Sequence, residues 1–161
     1  MTQYKEPPRV IFDCMVYLQA TANEEGAAGK VLDFLDSGAI TLFVSEQILD
    51  EVKNVLARPR VRAKNPRITD IRQNALLIRL ARKAVHIINV PEEFKYERDP
   101  KDEKYINLAL VTRAEYLVTS DKDLLDLMNE DTAAGKSFSF KYPFLKILSP
   151  PAFLGLFEKS N

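Results

Sequence analysis

Four carboxylates in this chain have the types and placement of a hard-cation site. Asp13 follows the β-prone run PRVIFD, and Asp121 follows EYLVT. Asp102 stands at the start of a helical segment, and Glu51 borders the apolar stripe of another. An acidic residue directly after a buried strand lies at the strand's carboxyl end, where open α/β sheets place their sites. Carboxylate oxygens without histidine or thiolate suit Mg²⁺ or Mn²⁺. Such an ion lowers the pKa of a water, holds a phosphate oxygen and neutralises charge during an in-line displacement.

Helix capping offers a rival account. In DPKDEKYINLALVTRAEYLVTSDKD, residues 99–123, Asp99-Pro100 fits an N-cap followed by proline, and Asp102 lies three residues on. Ser120 and Asp123 repeat that spacing. Caps alone would explain all four of these residues. Asp102, however, shares a helical face with Tyr105, Ile106 and Ala109, the face expected to pack inward. A carboxylate there needs a cation or several donors. Glu51 falls beside Ile48 and Val55 on a helix whose stripe also holds Leu49, Val52 and Leu56, whereas Asp50 falls nearly opposite and faces water.

The elements that must position these residues alternate. Strands are predicted over 8–13, 39–44, 85–90, 115–119 and 143–149. Helices are predicted over 24–37, ended by Ser37-Gly38, and over 46–57, capped by Ser45 with Glu46 in its first turn. Arg58-Pro59 should break that helix and leave a basic loop to Arg67. Helical spacing returns from Ile68 to Ala84, with Ile71, Ala75, Ile78 and Leu80 among its apolar positions. A further helix follows Asp99-Pro100, Asn129 to Lys136 reads as an exposed loop, and Pro150-Pro151 opens a final helix. This alternation predicts one domain over 1–161: a three-layer α/β/α sandwich around a central, mostly parallel sheet.

Composition narrows the chemistry. The chain is 46% hydrophobic and 29% charged, ordinary for a globular domain, and no run approaches a membrane span. The opening MTQYKEPPRV lacks the pattern of a signal peptide. The one cysteine, Cys14, fits a reducing cytoplasm and excludes a cysteine-rich zinc site, and the one histidine, His86, sits in the apolar run VHIINV, where a structural role is expected. There is no glycine-rich phosphate loop, no HExxH and no GxSxG. Net charge is zero, yet the ten basic residues between Lys53 and Lys83 are opposed only by Asp70. A polyanion would fit Arg58, Arg60, Arg62, Lys64 and Arg67, with salt-dependent affinity. Cation site and basic segment together describe a metal-dependent nuclease.

Nearly the whole chain resembles the PIN-domain family, and within it the ribonuclease toxins of bacterial and archaeal toxin–antitoxin pairs. The segments that carry the resemblance are VIFDCMVYLQA, SEQILDEVKNVLARP, DPKDEKYINLALVTRAEYLVTSDKDLL and KILSPPAFLGLF. It implies that Asp13, Glu51, Asp102 and Asp121 match the family's acidic positions. Asp13, Asp102 and Asp121 would hold Mg²⁺ or Mn²⁺, and Glu51 would complete the cluster or orient the attacking water. Asp123 matches a further acidic position near the metal, and Thr119 a supporting hydroxyl. The implied activity is cleavage of single-stranded RNA, with a small antitoxin and a homodimer as implied partners.

The chain departs from the family after Asp13, where a hydroxyl residue and asparagine are usual and Cys14 and Met15 stand instead. That departure motivates the alternative of a PIN-like module that binds RNA or a partner without cutting. A haloacid-dehalogenase-type phosphatase would need Asp-x-Asp after the first strand, which this sequence lacks.

Overall fold

Strand β1 (Arg9–Phe12) is the centre of the molecule, because Val10, Ile11 and Phe12 are apolar on both faces and all three are fully buried. In the computed structural model, which describes residues 5–158, it pairs with β2 (Thr41–Ser45) on one side and β4 (Tyr116–Val118) on the other. Strand β3 (Val85–Ile87) extends the sheet beyond β2, and β5 (Lys146–Leu148) beyond β4. The order is β3-β2-β1-β4-β5 and every pairing is parallel. Continuous apolar runs such as VIF and YLV suit strands covered by helices on both faces.

The chain leaves β1 in one direction and returns to β4 in the other, so the carboxyl ends of β1 and β4 flank a crevice. Phe12 is in register with Val118, and the Asp13 amide donates to the Val118 carbonyl at 3.1 Å. The residues directly after the two strands are thereby neighbours, although far apart in sequence.

Helices α1 (Cys14–Ala22), α2 (Ala27–Ser37), α3 (Glu46–Ala57), α4 (Pro59–Lys64), α5 (Asp70–Lys83), α6 (Glu103–Thr112), α7 (Lys122–Leu125), α8 (Ala133–Lys141) and α9 (Pro150–Glu158) surround the sheet. Gly38 ends α2 at φ 75°, a left-handed cap that glycine adopts without a Cβ penalty. Helix α6 enters from a 3₁₀ turn, Pro100–Asp102, and buries Tyr105, Ile106, Leu108 and Ala109.

Three local expectations are corrected, and the inward face of one predicted helix is settled. Pro59 does not open a loop. It takes the first position of α4, where its missing N–H costs nothing, and its fixed φ suits the helix. Helix α8 begins within the polar stretch assigned to a loop, capped by the Thr132 hydroxyl bonding the Gly135 amide. On α5 the inward residues are Leu76 and Leu80, while Ile71 and Ile78 are exposed. The side near α2 is held by arginines rather than by apolar packing: Arg72 reaches Glu24, and Arg79 bridges Asp33 and Asp36. Strand β3 stops at Ile87, because Asn89 turns the chain at φ 58°, and His86 lies exposed on this edge strand with Nε2 3.2 Å from the Leu80 carbonyl.

Candidate metal centre

The cluster is built from two strand ends and one helix start. Asp13 caps α1, accepting from the Val16 amide at 3.1 Å, and also accepts from the Thr119 hydroxyl. The same hydroxyl accepts from the Asp121 amide at 2.9 Å. Thr119, fully buried, therefore ties the end of β1 to the end of β4. Asp121, rather than Ser120, caps α7, accepting from the Asp123 amide at 2.8 Å. Ser120 instead bonds Gln19.

Asp102 enters from the 3₁₀ turn before α6 and is only 6% exposed. Its Oδ2 is buried without a hydrogen-bond partner among the described residues. Burial, then the charges of Asp121 and Asp99, push its pKa well above the carboxylate range. The side-chain contact with Asp121 acts on Asp102 in the same sense as its charge. Two acceptors that face each other without a donor between them are reconciled only by a proton or a cation. Asp13 is raised to about 6, chiefly by burial, with the Asp121 charge acting in the same sense and the Thr119 and Val16 bonds opposing.

Asp99, Asp102 and Asp123 each place a carboxylate oxygen within 4.8 Å of the others. With Asp13 and Asp121 bearing on Asp102, the crevice gathers five aspartates. An all-oxygen donor set with an orphaned buried oxygen fits a hard divalent cation. Asp123 is partly neutralised already, by Arg98 Nε at 2.6 Å.

Glu51 is handled differently. Its carboxylate accepts from Tyr105 at 2.6 Å and is ion-paired with Lys104, whose side chain is 10% exposed. Burial raises its pKa, but donation from Cys14, Lys104 and Tyr105 outweighs this and leaves it below the usual range. The Tyr105 hydroxyl also accepts from the Cys14 amide at 3.0 Å, so Glu51 connects to the aspartates at one remove. Cys14 retains the donor role of a hydroxyl toward Glu51, and its thiol is pushed up to about 12, first by burial. Met15 is 40% exposed; its backbone amide donates to Asp13, but its thioether offers no donor.

Sequence spacing marked Asp13, Asp102, Asp121, Asp123 and Thr119, and the fold gathers all five. It treated Asp99 only as a cap. Asp99 does cap the turn, accepting from the Lys101 amide at 3.2 Å, and it also faces Asp102 and Asp123. The DPKD spacing was the available signal, since one 3₁₀ turn places residues three apart on the same side. The sequence marked Tyr105 only as part of the inward face of its helix, and nothing marked Lys104.

Among the basic residues, Arg62 is committed within the fold. It donates to the Leu56 carbonyl at 2.9 Å, Asp70 at 2.6 Å and Gln73 at 2.9 Å, joining α3, α4 and α5. Arg58, Arg60, Lys64 and Arg67 are exposed and have no ion pair among the described residues.

A sequence profile of the PIN domain matches residues 9–123, which span both strand ends, Glu51 and all five aspartates. The chain belongs to the PIN-domain family. It is also 32% identical over 152 residues to an uncharacterized protein of Methanocaldococcus jannaschii, covering 94% of this chain and 92% of that one. PIN domains are typically metal-dependent nucleases that act on RNA, and the acidic crevice described above lies within the matched region. Among the described residues, no helix is long and apolar enough to cross a membrane.

Proposed function

We propose that this PIN-domain protein is a Mg²⁺- or Mn²⁺-dependent endoribonuclease that cleaves single-stranded RNA. The observation that carries the reading is Asp102: buried, facing Asp121, and left with an oxygen that no protein donor satisfies. Asp13, Asp102 and Asp121, with Asp123 and Asp99 beside them, would hold the cation. When bound, the cation neutralises phosphate charge and acidifies a water for attack. Thr119 fixes the Asp13 carboxylate and the Asp121 backbone relative to one another. Glu51, kept ionised by three donors, sits beside the cluster as an acceptor able to orient a water. Arg58, Arg60, Lys64 and Arg67 would carry the sugar–phosphate backbone. Arg58 lies about 10 Å along α3 from Glu51, at ~1.5 Å per residue.

The wider role we propose is that of a cytoplasmic toxin, active as a homodimer and held silent by a small antitoxin. A short reading frame immediately upstream of the gene is the expected companion. The alternative, a module that binds RNA without cutting, draws on Met15, whose side chain supplies neither amide nor hydroxyl next to Asp13.

The test is cleavage of a mixed single-stranded RNA pool by purified, folded protein in Mg²⁺, Mn²⁺ or EDTA, with Asp102→Asn alongside. Cleavage by the parent protein only, and only with metal, is expected. RNA retained intact by the parent protein in both metals would transfer the reading to the binding module.

A further inference from the structure

A cleft of about 670 Å³ opens beside the acidic crevice, where β2 and β3 end and α3 begins. Lys104 and Asn107 of α6 also line it, and Lys104 is the residue paired with Glu51, so cleft and acidic cluster share a wall. Leu49, Ile87 and Val90 give it half-buried apolar surface, and Ile88 at its mouth is 82% exposed. Gln47 and Asn89 line the same space, and neither side-chain amide makes a hydrogen bond among the described residues, whereas Asn107 accepts from the Glu93 and Phe94 amides. Asn89 is presented there by the left-handed turn that ends β3.

We infer that this cleft is a base-reading subsite for the nucleotide next to the scissile phosphate of a single-stranded RNA. The inference rests on the endoribonuclease reading, and it adds which part of the substrate is read and by what. Most of the lining is polar or charged, and Leu49, Ile87, Ile88 and Val90 form one apolar patch within it on which the face of a ring system can rest while its edge meets the polar groups. Unstacked bases are recognised by such slots through contacts to their edges.

The charges decide between base and phosphate. Glu46, Asp50 and Glu92 line the cleft with Lys53 and Lys104, and Glu92 lies 3.8 Å from Lys95 outside it. Three carboxylates repel a phosphate but accept from an exocyclic amino group. Free amides add both a donor and an acceptor. Adenine, cytosine and guanine carry such an amino group and uracil does not, so the subsite disfavours uracil. The phosphate falls instead at the shared wall. There Lys104 donates to Glu51 and to the Lys101 carbonyl at 2.5 Å, leaving one N–H of its ammonium.

The experiment is fluorescence anisotropy with short 2′-O-methyl oligonucleotides of A, C or U in Ca²⁺, each strand checked intact after titration. Wild-type protein is expected to bind the A and C strands about tenfold tighter than the U strand. The double variant Asp50→Ala/Glu92→Ala should bind all three nearly alike, because it removes carboxylates that accept from the amino group. Lys104→Met should weaken all three equally, with Lys104→Arg recovering most of the loss. Equal binding of the three strands by wild type, no binding at all, or a preference that survives the double variant with an unchanged thermal midpoint, overturns the subsite. Cleavage of unmodified RNA is measured in parallel. A preference lost in the double variant, from a wild-type protein that cuts nothing, would keep the subsite and remove the nuclease.

Discussion

Two groups of aspartates in this molecule have opposite surroundings. Asp33 and Asp36 on α2 face Arg79 at the α2–α5 contact, and Lys83 adds a second cation to Asp36 at 3.0 Å. The Arg79 hydrogen bond holds Asp36 below the ordinary carboxylate range. Asp13 and Asp102, buried at the carboxyl ends of the strands, have no ion pair with a cationic side chain among the described residues, and burial raises both. The first group is complete within the chain. The second is an arrangement that the protein's own residues do not neutralise, and it remains costly until a proton or cation from outside enters. Carboxylates left in the second condition mark a site more reliably than acidic residues counted along a sequence.

The largest separation between the two groups should come from removing one charge from each. Asp102→Asn is expected to lower RNA cleavage at least about 100-fold, since it removes a central cation ligand. It should also leave the metal-free thermal midpoint unchanged or higher, because a buried repulsion is relieved. Asp36→Asn should do the reverse, lowering the midpoint and leaving cleavage alone. Parallel thermal melts and RNA assays check both, and equal loss of stability in the two variants would erase the distinction.

The two groups also carry opposite pH signs. A carboxyl raised in the folded state contributes stability below its unfolded value of 3.8, and that contribution is lost as pH climbs through about 6 for Asp13, with Asp102 acting in the same direction. Asp36, lowered by Arg79, contributes above its unfolded value of 3.8 and loses that only as pH falls through its depressed pKa. Metal-free protein should therefore melt lower at pH 8 than at pH 5. Added Mn²⁺ should raise the midpoint by roughly 5 °C or more at pH 8 and by less at pH 5. Differential scanning fluorimetry with and without EDTA reads this, and a metal effect independent of pH would count against ligation by the raised carboxyls.

Smaller effects sharpen the contrast among the cations. Arg79→Met is expected to cost about 1 kcal/mol, the scale of partly exposed ion pairs, with unchanged cleavage. Arg62→Gln should likewise act on stability, because its donors join α3, α4 and α5. Arg60→Gln should instead weaken RNA binding and reduce the salt slope by about one, as expected for a phosphate contact. Binding titrations at several salt concentrations separate the last two. The smallest effect expected is from Cys14→Thr, since the thiol already donates to Glu51; the rate should change by no more than about threefold.

Local physics made much of this readable in one dimension. The 46–57 helix appears as α3 with its predicted ends, because Ser45 caps it and its apolar stripe is regular. The inward face of Asp102 followed from the 3.6-residue period that buried Tyr105, Ile106 and Ala109. Strand ends placed Asp13 and Asp121 correctly for the same reason. Helical spacing gave α5 but not which of its apolar residues turn inward: Leu80 is buried while Ile71 and Ile78 are exposed, because the partner decides which face is covered. Here α2 offers Asp33 and Asp36, and arginines meet them.

What the sequence alone determined is the parts: a parallel α/β chain, its acidic strand ends and its basic middle. Tertiary structure decided how they meet. The order β3-β2-β1-β4-β5 brings Thr119 onto Asp13 across 106 residues, and packing of α6 sets Lys104 and Tyr105 against Glu51. The same packing leaves Asp102 Oδ2 without a donor and gives Arg62 three partners inside the fold. Capping and periodicity act over a few residues and are written in local order. Whether a buried charge finds its counter-charge depends on which distant segments pack together.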